Sequence, residues 1–173
     1  MFGVLLLLGV FWSSDLAVEQ RPCDGPDVDP WVGELRDRVL TYNGLARVAV
    51  ERYGVPITCE GAVTTEFDGM RFGFVHLRFR EGVRLRVETM PPETSVVLLQ
   101  AASGFDDAPF VIEALHQYAR DVGVAIDWQA PHTSIDGDRR VETYQDPEPG
   151  LNASASLRFV EGRLMAVEFG LAI

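Results

Sequence analysis

The sequence predicts an α+β fold, a mostly antiparallel sheet with two main helices packed on it, built from two similar helix-plus-β-meander units. Two stretches with apolar residues at helical spacing each end in Gly-Val, at Gly54-Val55 and Gly123-Val124. An Asp-Gly turn follows each stretch, and the hexapeptide LRFREG of Leu77–Gly82 comes back as LRFVEG at Leu157–Gly162. Four markers in the same order favour a duplicated unit over coincidence.

Length and composition predict one compact domain over residues 30–173, with repeat units at about 30–102 and 106–173. The chain has 173 residues, of which 47% are hydrophobic, and it can therefore bury one core. Its formal charge is −11, and all 15 basic residues are arginine. A chain this acidic repels phosphate backbones, so nucleic acid is excluded as an expected partner.

The N-terminus resembles an export signal. Phe2–Trp12 is an unbroken apolar run that is too short to span a bilayer and has the length of a signal-peptide core. Residues 1–17 are therefore predicted to be a signal peptide and 18–29 a polar segment, which places the protein in the periplasm or outside the cell. The alternative is that the run forms a buried first strand of a cytoplasmic protein. Neither alternative predicts an integral membrane protein.

The two cysteines agree with export. Cys23 precedes the first predicted helix and Cys59 lies in the strand that follows it, both downstream of the cleavage point. We predict a disulfide between them that ties the N-terminal segment to the sheet. Two unrelated buried thiols are the alternative. Two cysteines cannot form a four-ligand zinc site by themselves, and no metal site is predicted.

Both helices have start and stop signals. Asp29 caps the first helix with Pro30 at its first position, Gly54 ends it, and Asn43-Gly44 is a predicted break within it. Asp106 or Asp107 caps the second helix. Its predicted buried stripe consists of Val111, Ile112, Leu115, Ala119 and Val122.

The strands are predicted from their turns. Asp68-Gly69 and Asp136-Gly137 are expected to be two-residue hairpin turns. A three-residue loop at Arg80–Gly82 predicts a hairpin with Phe79 opposite Val83, Leu77 opposite Leu85, Val75 opposite Val87, Arg78 opposite Arg84 and His76 opposite Arg86. A Glu161-Gly162 turn predicts Phe159 opposite Leu164 and Leu157 opposite Ala166. Ser95–Ala102 reads as a strand that is apolar on both faces and hence central.

The outward side of the first hairpin is the predicted partner-binding surface. It carries His76, Arg78, Arg84 and Arg86, with Arg80 in the adjoining turn. Arginines that face each other across a ladder repel, so either internal carboxylates such as Glu88 or an anionic partner should compensate them. Aromatic residues on both faces of this strand also indicate a cover on both sides, by a helix, a dimer mate or a bound apolar ligand.

Catalytic motifs are missing from the sequence. It contains no nucleophile elbow, phosphate-binding loop, dinucleotide-binding glycine run or zinc-protease motif, and no cofactor is predicted. His132, Ser134 and Asp136 alternate along one predicted strand and so share a face, which makes a hydrolase using His132 and Ser134 one alternative. The turn already accounts for Asp136.

The leading hypothesis is an exported, non-enzymatic binding protein with a protein partner. The order of helix, three-stranded meander, further strand and helix over about residues 30–125, together with the acidity, resembles type III secretion chaperones. That resemblance implies an alternative function as a cytoplasmic, acidic chaperone-like homodimer without a disulfide. Carriage of an apolar ligand between sheet and helices is a further alternative.

Overall fold

In the part of the chain that the structure describes, three helices lie on one face of a nine-stranded antiparallel sheet, which confirms the predicted α+β class. The computed structural model describes residues 21–65, 71–90, 94–147 and 152–172. The helices are α1 (Pro30–Tyr42), α2 (Gly44–Tyr53) and α3 (Ala108–Asp121). The strands are β1 (Arg21–Pro22), β2 (Thr58–Thr65), β3 (Arg71–Arg78), β4 (Val83–Met90), β5 (Thr94–Ala101), β6 (His132–Asp136), β7 (Arg139–Gln145), β8 (Asn152–Val160) and β9 (Arg163–Ala172).

The predicted break in the first helix is confirmed at Asn43. Its backbone ends α1, and its side-chain oxygen accepts a hydrogen bond from the backbone N–H of Ala46 at 3.0 Å, which caps α2. Asp29 caps α1 and Asp107 caps α3 in the same way, as predicted. Gly54 ends α2 with φ of 81°, a conformation that glycine adopts without strain.

The sheet consists of two meanders that meet in its centre. Its strand order is β1-β2-β3-β4-β5-β9-β8-β7-β6, so the last strand of each half forms the junction. In the first half, α1 and α2 precede the four-stranded meander β2–β5. In the second half, α3 precedes the four-stranded meander β6–β9. Strand β5 is central, as its apolar pattern predicts. The origin of the halves by duplication stays a prediction.

The repeated hexapeptide lies at different hairpins of the two halves. Its first copy ends β3, the second strand of its meander, and its second copy ends β8, the third strand. In both copies glutamate and glycine have positive φ, 59° and 72° at Glu81-Gly82 and 50° and 78° at Glu161-Gly162. The two copies therefore share their turn chemistry, although they end different strands of their meanders.

The predicted register is confirmed in the first hairpin and is partly wrong in the second. All five predicted pairs between β3 and β4 are present, with the Phe79 N–H donating to the Val83 carbonyl at 2.8 Å. In the second hairpin Phe159 lies opposite Leu164 as predicted, but Leu157 lies opposite Val167 instead of Ala166. A register shift between Arg158 and Phe159 is the cause, because a β-bulge inserts one residue into β9.

The second Asp-Gly turn is displaced by one residue. Asp136 pairs with Arg139, so the loop consists of Gly137 and Asp138. Gly137 has φ of 61°, and glycine at the first loop position is typical of a type II′ turn. The Asp68-Gly69 turn and the signal peptide at 1–17 lie outside the described residues.

The core fills the space between the helices and one face of the sheet. Strands β3, β4, β5 and β9 supply alternate residues, and each helix supplies one stripe. In α3, Tyr118 is buried and Val122 is exposed, which corrects the predicted stripe at its C-terminal end. The fully buried large side chains are Phe169, Leu45, Leu77, Leu85, Leu99, Leu115, Leu164, Val32, Val75, Val83, Val97 and Val167.

Cys23 and Cys59 form the predicted disulfide. It links the segment before α1 to β2, and the backbone N–H of Cys23 donates to the carbonyl of Cys59 at 3.1 Å. Cys23 is buried in the core, and β1 pairs with β2 beside it. The bond therefore fixes the N-terminal end of the described chain to the edge of the sheet.

Candidate functional site

The sheet face opposite the helices is the candidate site, and we call it the open face. Among the described residues no helix packs on it: α1 contacts the face of Gly61 and Gly73, and α3 contacts the face of Phe169. The open face consists of alternate residues of eight strands, β2–β9. They include Ala62, Phe72, Phe74, His76, Arg78, Arg84, Arg86, Glu88, Val96, Leu98, Gln100, Ser154, Ser156, Arg158 and Glu168.

The predicted basic residues lie together at one corner of the open face. Arg78 of β3 is directly opposite Arg84 of β4, and His76 is opposite Arg86. Arg80 lies in the adjoining turn and is exposed. Cross-strand neighbours have Cβ atoms about 5 Å apart, so His76, Arg78, Arg84 and Arg86 form one contiguous cluster. We call this cluster, together with Arg80 of the adjoining turn, the arginine corner.

One arginine of this corner is compensated within the chain. Arg86 forms an ion pair with Glu88, as expected from the sequence, and its guanidinium lies 5.2 Å from the centroid of the Phe74 ring. Within the described ranges, no carboxylate lies within ion-pair distance of Arg78, Arg80 or Arg84. The Arg78–Arg84 pair therefore carries two adjacent positive charges that no carboxylate of the described residues compensates.

His76 is held in its neutral form by these surroundings. Its ring lies 4.9 Å from that of Phe74, and its Nε2 atom is buried with no hydrogen-bond partner among the described residues. Burial is the largest cause that lowers the pKa of His76 from 6.5 to about 4, and the positive charges of Arg86, Arg78 and Arg84 supply the rest of that decrease. A neutral imidazole avoids adding a further positive charge to the arginine corner.

This pKa makes folding depend on pH in a defined direction. Between about pH 6.5 and about pH 4 the unfolded chain binds a proton at His76 that the folded chain does not bind. The free energy of unfolding should therefore fall as the pH drops through that window, and it should fall less in His76→Gln. Urea unfolding of both proteins at several pH values measures the difference. An imidazole titration by NMR with a midpoint at or above pH 6.5 for His76 would contradict the prediction.

An apolar strip adjoins the arginine corner. Phe72 and Phe74 of β3 and Val96 and Leu98 of β5 are half-buried on the open face. The helices cover the opposite face of β3 and β5. Of the covers predicted for the two faces of β3, the one on the helix side is therefore present. The far side of the strip carries an ion pair between Arg158 and Glu168 that the sequence analysis missed. Their pairing depends on β8 and β9 being neighbours, with Glu168 opposite Ser156.

The His132, Ser134 and Asp136 cluster is far from the arginine corner. These residues lie on β6 at the edge of the sheet, six strand spacings or about 29 Å from β3. They share the open face, as predicted, and all three are exposed. Side chains this exposed lack the water-excluded surroundings that strengthen catalytic electrostatics, and the hydrolase stays a prediction.

Other sites have weaker support in the described part of the chain. A shallow groove of about 260 Å³ runs between α2 and α3, where Arg47 and Asp121 lie 3.8 Å apart. No group of three or more potential metal-ligating side chains occurs in the described ranges. None of the described helices has the length and apolarity that crossing a bilayer requires.

Comparisons with protein-family models, with curated proteins and with solved structures found no match to this chain.

Proposed function

We propose that the protein is an exported, non-enzymatic binding protein whose open face takes an acidic, partly apolar segment of a protein partner. The observation that carries the proposal is the Arg78–Arg84 pair, two arginines opposite each other with no carboxylate in ion-pair distance among the described residues. Like charges in this position weaken a hairpin. A partner carboxylate would remove the repulsion and form charge-assisted hydrogen bonds with both guanidinium groups.

Neighbouring residues extend the basic contact into a binding surface. Thr58 and Gln100 flank the pair on β2 and β5 and offer uncharged hydrogen-bonding groups in the same row. The apolar strip continues along the strands, with Leu98 one row beyond the arginine pair and Phe74 two rows beyond it. An extended segment with an acidic residue and an apolar residue two positions later would match both parts, since rows on one face of a sheet are two residues apart.

The disulfide supports the proposed export. Disulfides persist in oxidising compartments, and Cys23–Cys59 closes a loop of 36 residues at the sheet edge. This agrees with the predicted signal peptide at 1–17. Detection of the mature N-terminus near residue 18 in native protein, with no free thiol, is the expected result.

Net charge determines the conditions for a binding test. The formal charge of −11 opposes the approach of an acidic partner at low salt. At physiological ionic strength the Debye length is about 8 Å, so distant carboxylates are screened while contacts at the arginine corner are retained. Binding should therefore be measured near that ionic strength.

A labelled peptide in which a leucine follows each glutamate two positions later, with serine between them, is a suitable probe. We expect fluorescence anisotropy to show saturable binding, and the double variant Arg78→Gln/Arg84→Gln to weaken it at least about tenfold. The matched control is Arg38→Gln/Arg52→Gln, which removes two exposed arginines from α1 and α2 on the opposite side of the sheet. It should bind as the unchanged protein does.

The peptide in which glutamine replaces glutamate separates charge recognition from apolar adhesion. Equal affinity for both peptides, or equal loss in the two double variants, would overturn the proposed role of the arginine corner.

A further inference from the structure

The edge strand β6 has exposed side chains along its whole length. All five residues His132–Asp136 are exposed, including Ile135 at 71%. Among the described strands β7 is its only neighbour. It contains neither lysine nor proline, the residues with which natural sheets commonly protect an edge. Strand β6 therefore offers unpaired backbone groups to another strand.

The hairpin defines which backbone groups these are. Asp136 and Arg139 flank a two-residue loop, and residues in that position exchange both of their hydrogen bonds. Alternation then directs the backbone groups of Asp136, Ser134 and His132 toward β7. The N–H and C=O groups of Thr133 and Ile135 point outward.

We infer that β6 pairs antiparallel with β6 of a second copy of this chain, in a register centred on Ser134. This register alone matches all five residues of the strand, and it places each Thr133 opposite the Ile135 of the other copy. The N–H and C=O groups of Thr133 and Ile135 in both copies then form four hydrogen bonds between the strands. Pro131 and Gly137 bound the strand and limit the pairing to this length.

Side chains on both faces agree with this register. On the open face each His132 lies opposite the Asp136 of the other copy, so an imidazole N–H can donate to a carboxylate at two symmetric positions. On the helix side the two exposed Ile135 side chains approach each other diagonally. The match between His132 and Asp136 favours pairing with a second copy of this strand over pairing with an unrelated strand.

The inference concerns β6 and is independent of the arginine corner, which lies on β3 and β4. An edge of five residues buries less surface than a standard interface, so we expect a weak dimer with a dissociation constant on the order of 100 µM. Sedimentation equilibrium over about two decades of concentration around that value measures it.

Two kinds of variant test the register. Thr133→Pro removes only an outward N–H and leaves the bonds to β7 in place, and it should weaken the dimer at least about tenfold. His132→Asp places like charges opposite each other twice and should weaken it about tenfold, while His132→Asp/Asp136→His restores complementarity and the wild-type affinity. Far-UV circular dichroism checks that each variant is folded.

A monomer at the highest concentration would overturn the inference. Dimers of equal strength in the unchanged protein and in folded Thr133→Pro would also overturn it, and so would failure of the charge swap to restore affinity in a folded double variant.

Discussion

Replacing Phe169 with alanine is expected to lower the free energy of unfolding by about 3–5 kcal/mol. The side chain is fully buried on β9, between Val97 of β5 and Ala155 of β8. Its ring lies edge-on to Tyr118 of α3, with centroids 5.2 Å apart and planes at 81°. The substitution therefore leaves a cavity where the two meanders meet and removes the aromatic contact that α3 makes there.

Urea unfolding followed by circular dichroism measures the loss. The matched control is Phe110→Ala on α3. Phe110 is 38% exposed, so this substitution should lower the free energy of unfolding by less than about 1 kcal/mol. The free energy of unfolding of a typical domain is only about 5–15 kcal/mol. The Phe169 variant should therefore unfold at a much lower urea concentration than the unchanged protein. A loss below about 1.5 kcal/mol would show that neighbouring side chains refill the site.

Removing the disulfide is expected to cost about 3–4 kcal/mol. The bond closes a loop of 36 residues, and on a chain-entropy argument its loss mainly widens the ensemble of the unfolded state. The variant for the test is Cys23→Ala/Cys59→Ala. Alanine avoids burying a hydroxyl at Cys23, which is only 4% exposed.

A reducing agent provides the control for this variant. It should destabilise the unchanged protein by about the same 3–4 kcal/mol and leave the double-alanine protein unaffected. A thermal shift of the unchanged protein in reductant that is no larger than that of the variant would contradict the prediction. The same comparison tests the proposed compartment, because a protein that depends on this bond functions best where disulfides persist.

Features that depend on local chemistry could be predicted from the sequence. Caps, breaks and turns follow from single residues, as at Asn43 and Asp107, and the register of β3 with β4 follows from one turn and one alternating pattern. The bulge beside Phe159 could not be predicted in this way, because one inserted residue leaves the alternation on both sides intact. The shift of the second Asp-Gly turn likewise depends on how β6 pairs with β7.

Features that depend on pairing between strands distant in the sequence could not be predicted from local sequence patterns. The arginine corner was predicted because its members lie on one hairpin. The apolar strip forms because β5 pairs with β4, which places Leu98 beside Arg86. The Arg158–Glu168 ion pair forms because β8 pairs with β9. The burial of Tyr118 depends on Phe169, which is 51 positions away in the chain and reaches it only through the central position of β9.

The central position of β9 also determines when the sheet can be completed during synthesis. Strand β9 is made after every other described strand, yet it lies between β5 and β8. Until it emerges, β5 has an unpaired apolar edge that can associate with other nascent chains. A chain exported while unfolded would complete this sheet only after translocation, because β9 is the last of the described strands to emerge.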